Sequence, residues 1–84
     1  MKYTVEWKPV AEAHLTDLWQ QGPDRAAVAA AADWLDAELA KNPHGIGESR
    51  DGNVRIVFVE PLAALFEVFD STSRVDVLKV WRPR

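Results

Sequence analysis

The chain has 84 residues, of which 48% are apolar, and it contains four Trp, three Phe and no Cys. A chain of this length is expected to form one domain, residues 1–84, with a thin stability margin. The absence of Cys excludes disulfides and thiolate metal sites. The net charge of −3 argues against a general nucleic-acid binder, since such domains are strongly basic. The chain begins with an alternating strand instead of an apolar leader, and no segment reaches the ~18 apolar residues of a membrane span, so we expect a cytoplasmic protein.

The first half of the sequence predicts one strand followed by two helices. Apolar and polar residues alternate over Lys2–Trp7, which indicates a half-buried strand. Pro9 suits the first turn of a helix, and Gly22 is placed to end it. Asp24 is a good N-cap for a second helix, which Asn42-Pro43 ends. The apolar stripe predicted for this second helix consists of Val28, Ala32, Leu35 and Leu39.

The second half predicts a loop and then three strands. Residues 44–53, HGIGESRDGN, contain three glycines and a turn signal at Asp51-Gly52. The strands that follow cover 54–60, 63–69 and 74–82, and short connections favour an antiparallel meander. The predicted fold is therefore α+β, in the order β-α-α-β-β-β, with a helical hairpin packed on one face of an antiparallel sheet.

Apolar residues occur on both faces of this predicted sheet. Two short helices cover only one face, and monomers rarely expose a large apolar patch to water. One alternative is that strand ends and loops cover the remaining apolar groups. We instead predict that a protein partner covers a sheet face formed by Val57, Val59, Leu65 and Phe69.

A set of cations in the second half offers a second kind of contact. Its members are Arg50, Arg55, Arg74, Lys79, Arg82 and Arg84. The planar Arg fork binds phosphate oxygens bidentately, although ordinary surface charge would explain any one of these residues alone. His44 lies in the predicted loop, where it could act as an acid or base. The only other histidine, His14, is thirty residues away, so we expect no metal site, and no sequence motif calls for a cofactor.

The order of elements resembles the RelE/ParE superfamily of toxins. The similarity runs from YTVEWKPVAEAHLTDLW near the start to VDVLKVWRPR at the end. Its most characteristic stretch is GESRDGNVRIVFVEPLAALFEVFDSTSRVDVLKVWR, which looks like the loop, hairpin and final strand of that family. The resemblance implies the toxin of a bacterial type II toxin–antitoxin system, neutralised by a cognate antitoxin that wraps it.

The superfamily has two branches with different targets. The ribosome-dependent branch cleaves mRNA in the decoding site with basic residues on the sheet and an aromatic or imidazole group near the C-terminus, whereas the ParE branch poisons DNA gyrase. Arg55 and Arg82 stand where the nuclease branch has basic residues. However, Ala63 occupies a position that usually carries Arg, and no Tyr or His lies near Arg84.

These departures favour a ParE-like or catalytically degenerate toxin that acts by binding its target. The candidate target-binding residues are Arg50, Arg55, Lys79 and Arg82. One alternative is an mRNA endoribonuclease in which the arginines hold phosphate and His44 or water transfers protons. Another is a non-toxic interaction module, and a homodimer is compatible with each hypothesis.

Overall fold

A computed structural model describes residues 2–83 as two helices and five strands joined by short turns. The helices are α1 (Pro9–Gln21) and α2 (Arg25–Lys41). The strands are β1 (Thr4–Trp7), β2 (Glu48–Asp51), β3 (Val54–Val59), β4 (Leu62–Phe69) and β5 (Arg74–Trp81). Two short 3₁₀ helices lie in the connections, Pro43–Gly45 between α2 and β2 and Asp70–Thr72 between β4 and β5. No helix within residues 2–83 is long and apolar enough to span a membrane.

The strands form one sheet in the order β1-β5-β4-β3-β2. The predicted α+β class is confirmed, because the helical hairpin packs on one face of this sheet, but the order is β-α-α-β-β-β-β, with one strand more than the predicted β-α-α-β-β-β. The sheet is mixed instead of wholly antiparallel, since β1 pairs in parallel with β5, with Thr4 opposite Arg74. β2 was predicted as loop. Its four residues are all exposed and carry no apolar pattern, and they are ordered by pairing with β3.

The hydrophobic core lies between the helices and the sheet. Phe66 is fully buried there and is the largest of the fully buried side chains. Leu35 and Leu39 of α2 come next in size. The predicted α2 stripe is correct except at one position, because Ala31 is buried in place of the half-exposed Ala32. The remaining strand residues of the core are Val57, Leu62, Ala64, Val68, Val75, Val77 and Val80.

The helix ends follow the predicted breakers, with one exception. Pro9 occupies the first turn of α1, Gly22 follows its last residue, and Asn42 follows the last residue of α2. Asp24 precedes α2 as predicted, but its carboxylate makes no capping hydrogen bond. The carboxylate instead accepts hydrogen bonds from the Arg82 guanidinium at 2.7 and 3.2 Å, so it ties the start of α2 to the segment after β5.

The predicted partner-binding face is wrong for two of its four residues. Val57 is 5% exposed in the core, and Val59 packs against the same core, so both lie on the helix-covered side. The sequence could not set the phase of β3 because apolar residues occupy both of its faces. Leu65 and Phe69 do lie on the opposite side, since they alternate with the buried Phe66 along β4.

A bulge also shifts the phase of β5. Leu65 pairs with Lys79 and Phe66 pairs with Val77, so Leu78 is an extra residue in the ladder. Beyond the bulge, Val80 therefore returns to the core, and Lys79 turns to the side away from the helices.

Candidate functional site

The side of the sheet turned away from the helices, here called the open face, carries an apolar end and a charged end. Directly opposite residues on paired strands share a face, so the register defines rows across it. The apolar rows are Phe58, Ala63 and Trp81, and then Ile56, Leu65 and Lys79. The charged rows are Glu6, Asp76, Glu67 and Val54, and then Arg74 and Phe69.

The apolar end contains the most exposed large apolar side chain among the described residues. Phe58 is 61% exposed, while Ile56, Leu65 and Trp81 around it are half-buried. Ala63 separates Phe58 from Trp81 and is fully buried beneath them. Covering Phe58 alone would contribute about 1–2 kcal/mol of hydrophobic free energy. The apolar end is therefore suited to contact another protein.

The charged end is organised around a buried carboxylate. Asp76 is 3% exposed, although it lies on the open face. Its Oδ1 accepts a hydrogen bond from Arg74 Nε at 3.0 Å, and Lys8 Nζ lies 3.5 Å from Oδ2. Arg74 also stacks on the Phe69 ring with its Cζ 4.7 Å from the ring centroid. Glu67 lies directly opposite Asp76. Two cations therefore offset the desolvation of Asp76 and fix the charged end.

Three of the predicted cations are held by contacts within the chain. Arg55 lies on β3 and donates to the backbone oxygens of Ile46 and Gly47, at 3.2 and 3.0 Å, so it pins the loop before β2. Arg74 is held by Asp76. Arg82 is held by Asp24, and this hydrogen-bonded pair lowers the pKa of the Asp24 carboxyl and raises that of Arg82. These three arginines therefore already have hydrogen-bond partners within the chain, which a ligand would have to displace.

The other predicted cations do not form a cluster with them. Lys79 is exposed on the open face, and Arg50 is exposed on the edge strand β2. Neither makes an ion pair within residues 2–83. Arg84 lies outside the described residues. The structure thus places Arg50, Arg55, Lys79 and Arg82 on separate parts of the surface, and Lys79 is the one beside the apolar end.

His44 joins a hydrogen-bonded cluster that the sequence did not reveal. Its Nε2 lies 2.8 Å from Asp70 Oδ1, and the Tyr3 hydroxyl donates to the same oxygen at 2.7 Å. The hydrogen bonds from His44 and Tyr3 lower the pKa of Asp70, and the bond to Asp70 raises the pKa of Tyr3. The His44–Asp70–Tyr3 cluster connects three segments, and its histidine and carboxylate are both exposed.

Sequence reasoning missed Asp70 and Asp76 for different reasons. Asp70 opens the DSTS turn and lies 26 residues from His44, so no local pattern links the pair. Asp76 did give a signal, since it interrupts the apolar run of β5 two residues after Arg74. A carboxylate in a buried central strand requires a nearby cation. Residues 2–83 contain no group of three or more His, Asp or Glu side chains placed to hold a metal ion.

Comparison with solved structures identifies the architecture. A chain of the RelBE2 toxin–antitoxin complex from Mycobacterium tuberculosis superposes with a TM-score of 0.80 over 99% of this chain and 93% of its own length, at 20% sequence identity. A chain of the chromosomal ParDE system from P. aeruginosa gives 0.74 over 99% and 98%, at 22% identity. The chain has the RelE/ParE fold. The isolated RelE toxin of E. coli is more distant, with a TM-score of 0.67 over 98% of this chain and 85% of RelE, at 12% identity.

The likeness to RelE/ParE proteins lies in the fold and not in a detectable sequence signature. No protein-family model matches the sequence, and no curated protein is similar enough in sequence to count as a relative. Both helices and all five strands belong to the shared RelE/ParE architecture, because the superposition covers nearly the whole chain.

Proposed function

We propose that this chain is the toxin of a bacterial type II toxin–antitoxin system, that it acts in the cytoplasm by binding a cellular target, and that a cognate antitoxin protein neutralises it. The main support is the RelE/ParE fold, which the chain shares over 99% of its length with a chain of RelBE2 and with a chain of the ParDE system. The exposed apolar end of the open face provides a contact surface that the cellular target would cover.

Binding fits the open face better than cleavage of RNA does. Arg55, Arg74 and Arg82 are engaged by oxygens of this chain, so a phosphate would have to displace those partners. On the open face, Glu67 adds a negative charge that disfavours a polyanion, while Asp76 opposite it is already paired with Arg74 and Lys8. A ParE-like toxin with a protein target such as DNA gyrase is therefore our preferred form of the proposal.

The proposal is tested by inducible expression in bacteria with and without the antitoxin candidate encoded beside the gene. We expect growth arrest on expression of the chain alone and recovery on co-expression. Phe58→Asp would place a charge on the most exposed apolar residue of the apolar end, so it should relieve the arrest. Val10→Asp is a matched control, because Val10 is a similarly exposed apolar residue, at 54%, on α1. Normal growth despite soluble wild-type protein would rule out a toxin.

A second function, mRNA endonuclease, is favoured by one observation. Asp70 Oδ1 lies 2.8 Å from His44 Nε2, so it can orient the imidazole ring for proton transfer. Primer extension on translated mRNA distinguishes this function from the first. Cleavage ends that disappear with His44→Gln or Arg55→Ala would support a nuclease. Growth arrest without new ends would support a binding toxin, and complex formation without arrest would indicate a non-toxic interaction module.

A further inference from the structure

One row of residues crosses the open face with opposite charges at its two ends. It consists of Glu48 on β2, Ile56 on β3, Leu65 on β4 and Lys79 on β5, each opposite the next on the neighbouring strand. Glu48 and Lys79 are exposed, whereas Ile56 and Leu65 are half-buried. We call these four residues the dipolar row, because an apolar centre separates an anion from a cation.

The two charged residues of the dipolar row are unpaired within the chain. Because β2 and β5 are three strand spacings apart in the sheet, Glu48 and Lys79 lie about 14 Å from each other, beyond the reach of a direct ion pair. Neither makes an ion pair with any other group of residues 2–83. Arg55 and Arg82, in contrast, are held by oxygens of the chain. The dipolar row therefore offers one anion and one cation to a ligand.

The row beside it widens the apolar centre. Phe58, Ala63 and Trp81 lie two residues further along the same strands, about 7 Å from the dipolar row. Phe58 is 61% exposed, so this second row also presents apolar surface to an occupant. An α-helix, about 10 Å in diameter, is wide enough to cover both rows. It would leave Glu67, on the other side of the dipolar row, in water.

The pairing of the strands favours a helix as the occupant. β3, β4 and β5 are each paired on both sides, so a polypeptide that lies across them finds no free backbone donor or acceptor on this face. A helix makes its interior backbone hydrogen bonds within itself and brings only side chains to the surface. About ten residues of helix span the distance between the two charged ends of the row.

We propose that the dipolar row binds an amphipathic helix of a partner protein. Aliphatic side chains of this helix cover the apolar centre, an acidic side chain reaches Lys79, and a basic side chain reaches Glu48. That the helix belongs to the cellular target rests on the proposed function, whereas the binding chemistry does not. A second copy of this chain is a poor occupant, because two facing sheets would also bury Glu67, which forms no ion pair within residues 2–83.

The test uses the purified full chain and three fluorescent helical peptides that share the same leucine face. One peptide carries Glu at one end of that face and Lys two to three turns away, one carries Glu at both positions, and one carries Lys at both. We expect the wild-type chain to bind the Glu/Lys peptide most tightly, with a preference that weakens as salt rises. Relative to that peptide, Lys79→Glu should favour the Lys/Lys peptide, and Glu48→Lys the Glu/Glu peptide, each by about three- to tenfold.

Matched variants place the same charge changes away from the open face. Lys2→Glu, beside α2, and Asp17→Lys, on α1, should leave the wild-type preference within about twofold. Circular dichroism confirms the fold of every variant. Equal shifts in the matched variants and the row variants would overturn the proposal, and so would a wild-type chain that binds none of the peptides or does not distinguish them.

Two competing occupants are tested with the same proteins. Displacement of the Glu/Lys peptide by single-stranded RNA, or by self-association of the chain at high concentration, would also overturn the proposal. Growth arrest is measured separately. Arrest without peptide binding would refute only this inference, and peptide binding without arrest would refute only the toxin function.

Discussion

The two sides of the sheet differ in what their apolar residues do. On the helix-covered side, Phe66 and its neighbours are buried in the core and stabilise the fold. On the open face, Phe58 is 61% exposed and Leu65 is half-buried, so the same types of side chain remain available to a partner. Hydrophobicity alone therefore does not distinguish structural residues from contact residues in this chain. The position of the helices does.

The largest expected effect contrasts one phenylalanine from each side. Phe66→Ala removes a fully buried ring and leaves a cavity, so we expect a loss of about 3–5 kcal/mol in the free energy of unfolding. Phe58→Ala should cost less than about 1 kcal/mol, because most of its ring is already in water. Urea denaturation followed by circular dichroism measures both. Similar losses for the two variants would show that the open face also belongs to the core.

A smaller effect is expected at the charged end of the open face. Arg74→Met leaves the buried Asp76 carboxylate with Lys8 as its remaining cation at 3.5 Å. We expect the free energy of unfolding to fall by about 2–3 kcal/mol, less than for a wholly unpaired buried charge. The control is Lys41→Met, whose ion pair with Glu38 is 71% exposed on the lysine side and should contribute under about 0.5 kcal/mol. Equal stabilities of the two variants would mean that water already solvates Asp76.

The smallest effect concerns the exposed His44–Asp70–Tyr3 cluster and depends on pH. The pKa of Asp70 is lowered from its ordinary value of 3.8, so its stabilisation is present above that pH and is lost as pH falls through the lower folded value. The pKa of Tyr3 is raised from 10.0, so its contribution is present below that pH and is lost as pH rises through the folded value.

The difference in Tm between wild type and Asp70→Asn should therefore be largest at intermediate pH and shrink at both extremes. Because the Asp24–Arg82 pair is present in both proteins, its own pH dependence cancels from this difference. A Tm difference that stays constant from pH 2 to 11 would show that the cluster does not couple protonation to folding.

The helices and β4 could be predicted because local patterns determine them. Pro9 and Gly22 bracket α1, and the buried positions of β4 alternate as expected around Phe66. β2 could not be predicted, because its sequence ESRD becomes a strand only through pairing with β3. Which residues of β5 face the core could not be predicted, because this depends on the bulge at Leu78, and no residue type in the sequence indicates that bulge.

The candidate site was harder to predict than the fold. Leu65 and Phe69 were assigned to the correct face, whereas Val57 and Val59 were not, since β3 is apolar on both sides. The roles of Arg55 and Arg82 depend on contacts with Gly47 and Asp24, which are distant in sequence or made by backbone atoms. Charge and residue type alone therefore could not separate cations that stabilise the fold from those free to bind.

The central position of β5 has a consequence for protein synthesis. This strand lies between β1 and β4, and its parallel partner β1 is separated from it by about seventy residues of chain, as in the pair Thr4 and Arg74. A nascent chain on the ribosome cannot complete the sheet until residue 81 has left the exit tunnel, because long-range strand pairing must wait for both segments. A translation product truncated before β5 would lack the strand that joins β1 to β4, and with it Lys79 and Trp81 of the open face.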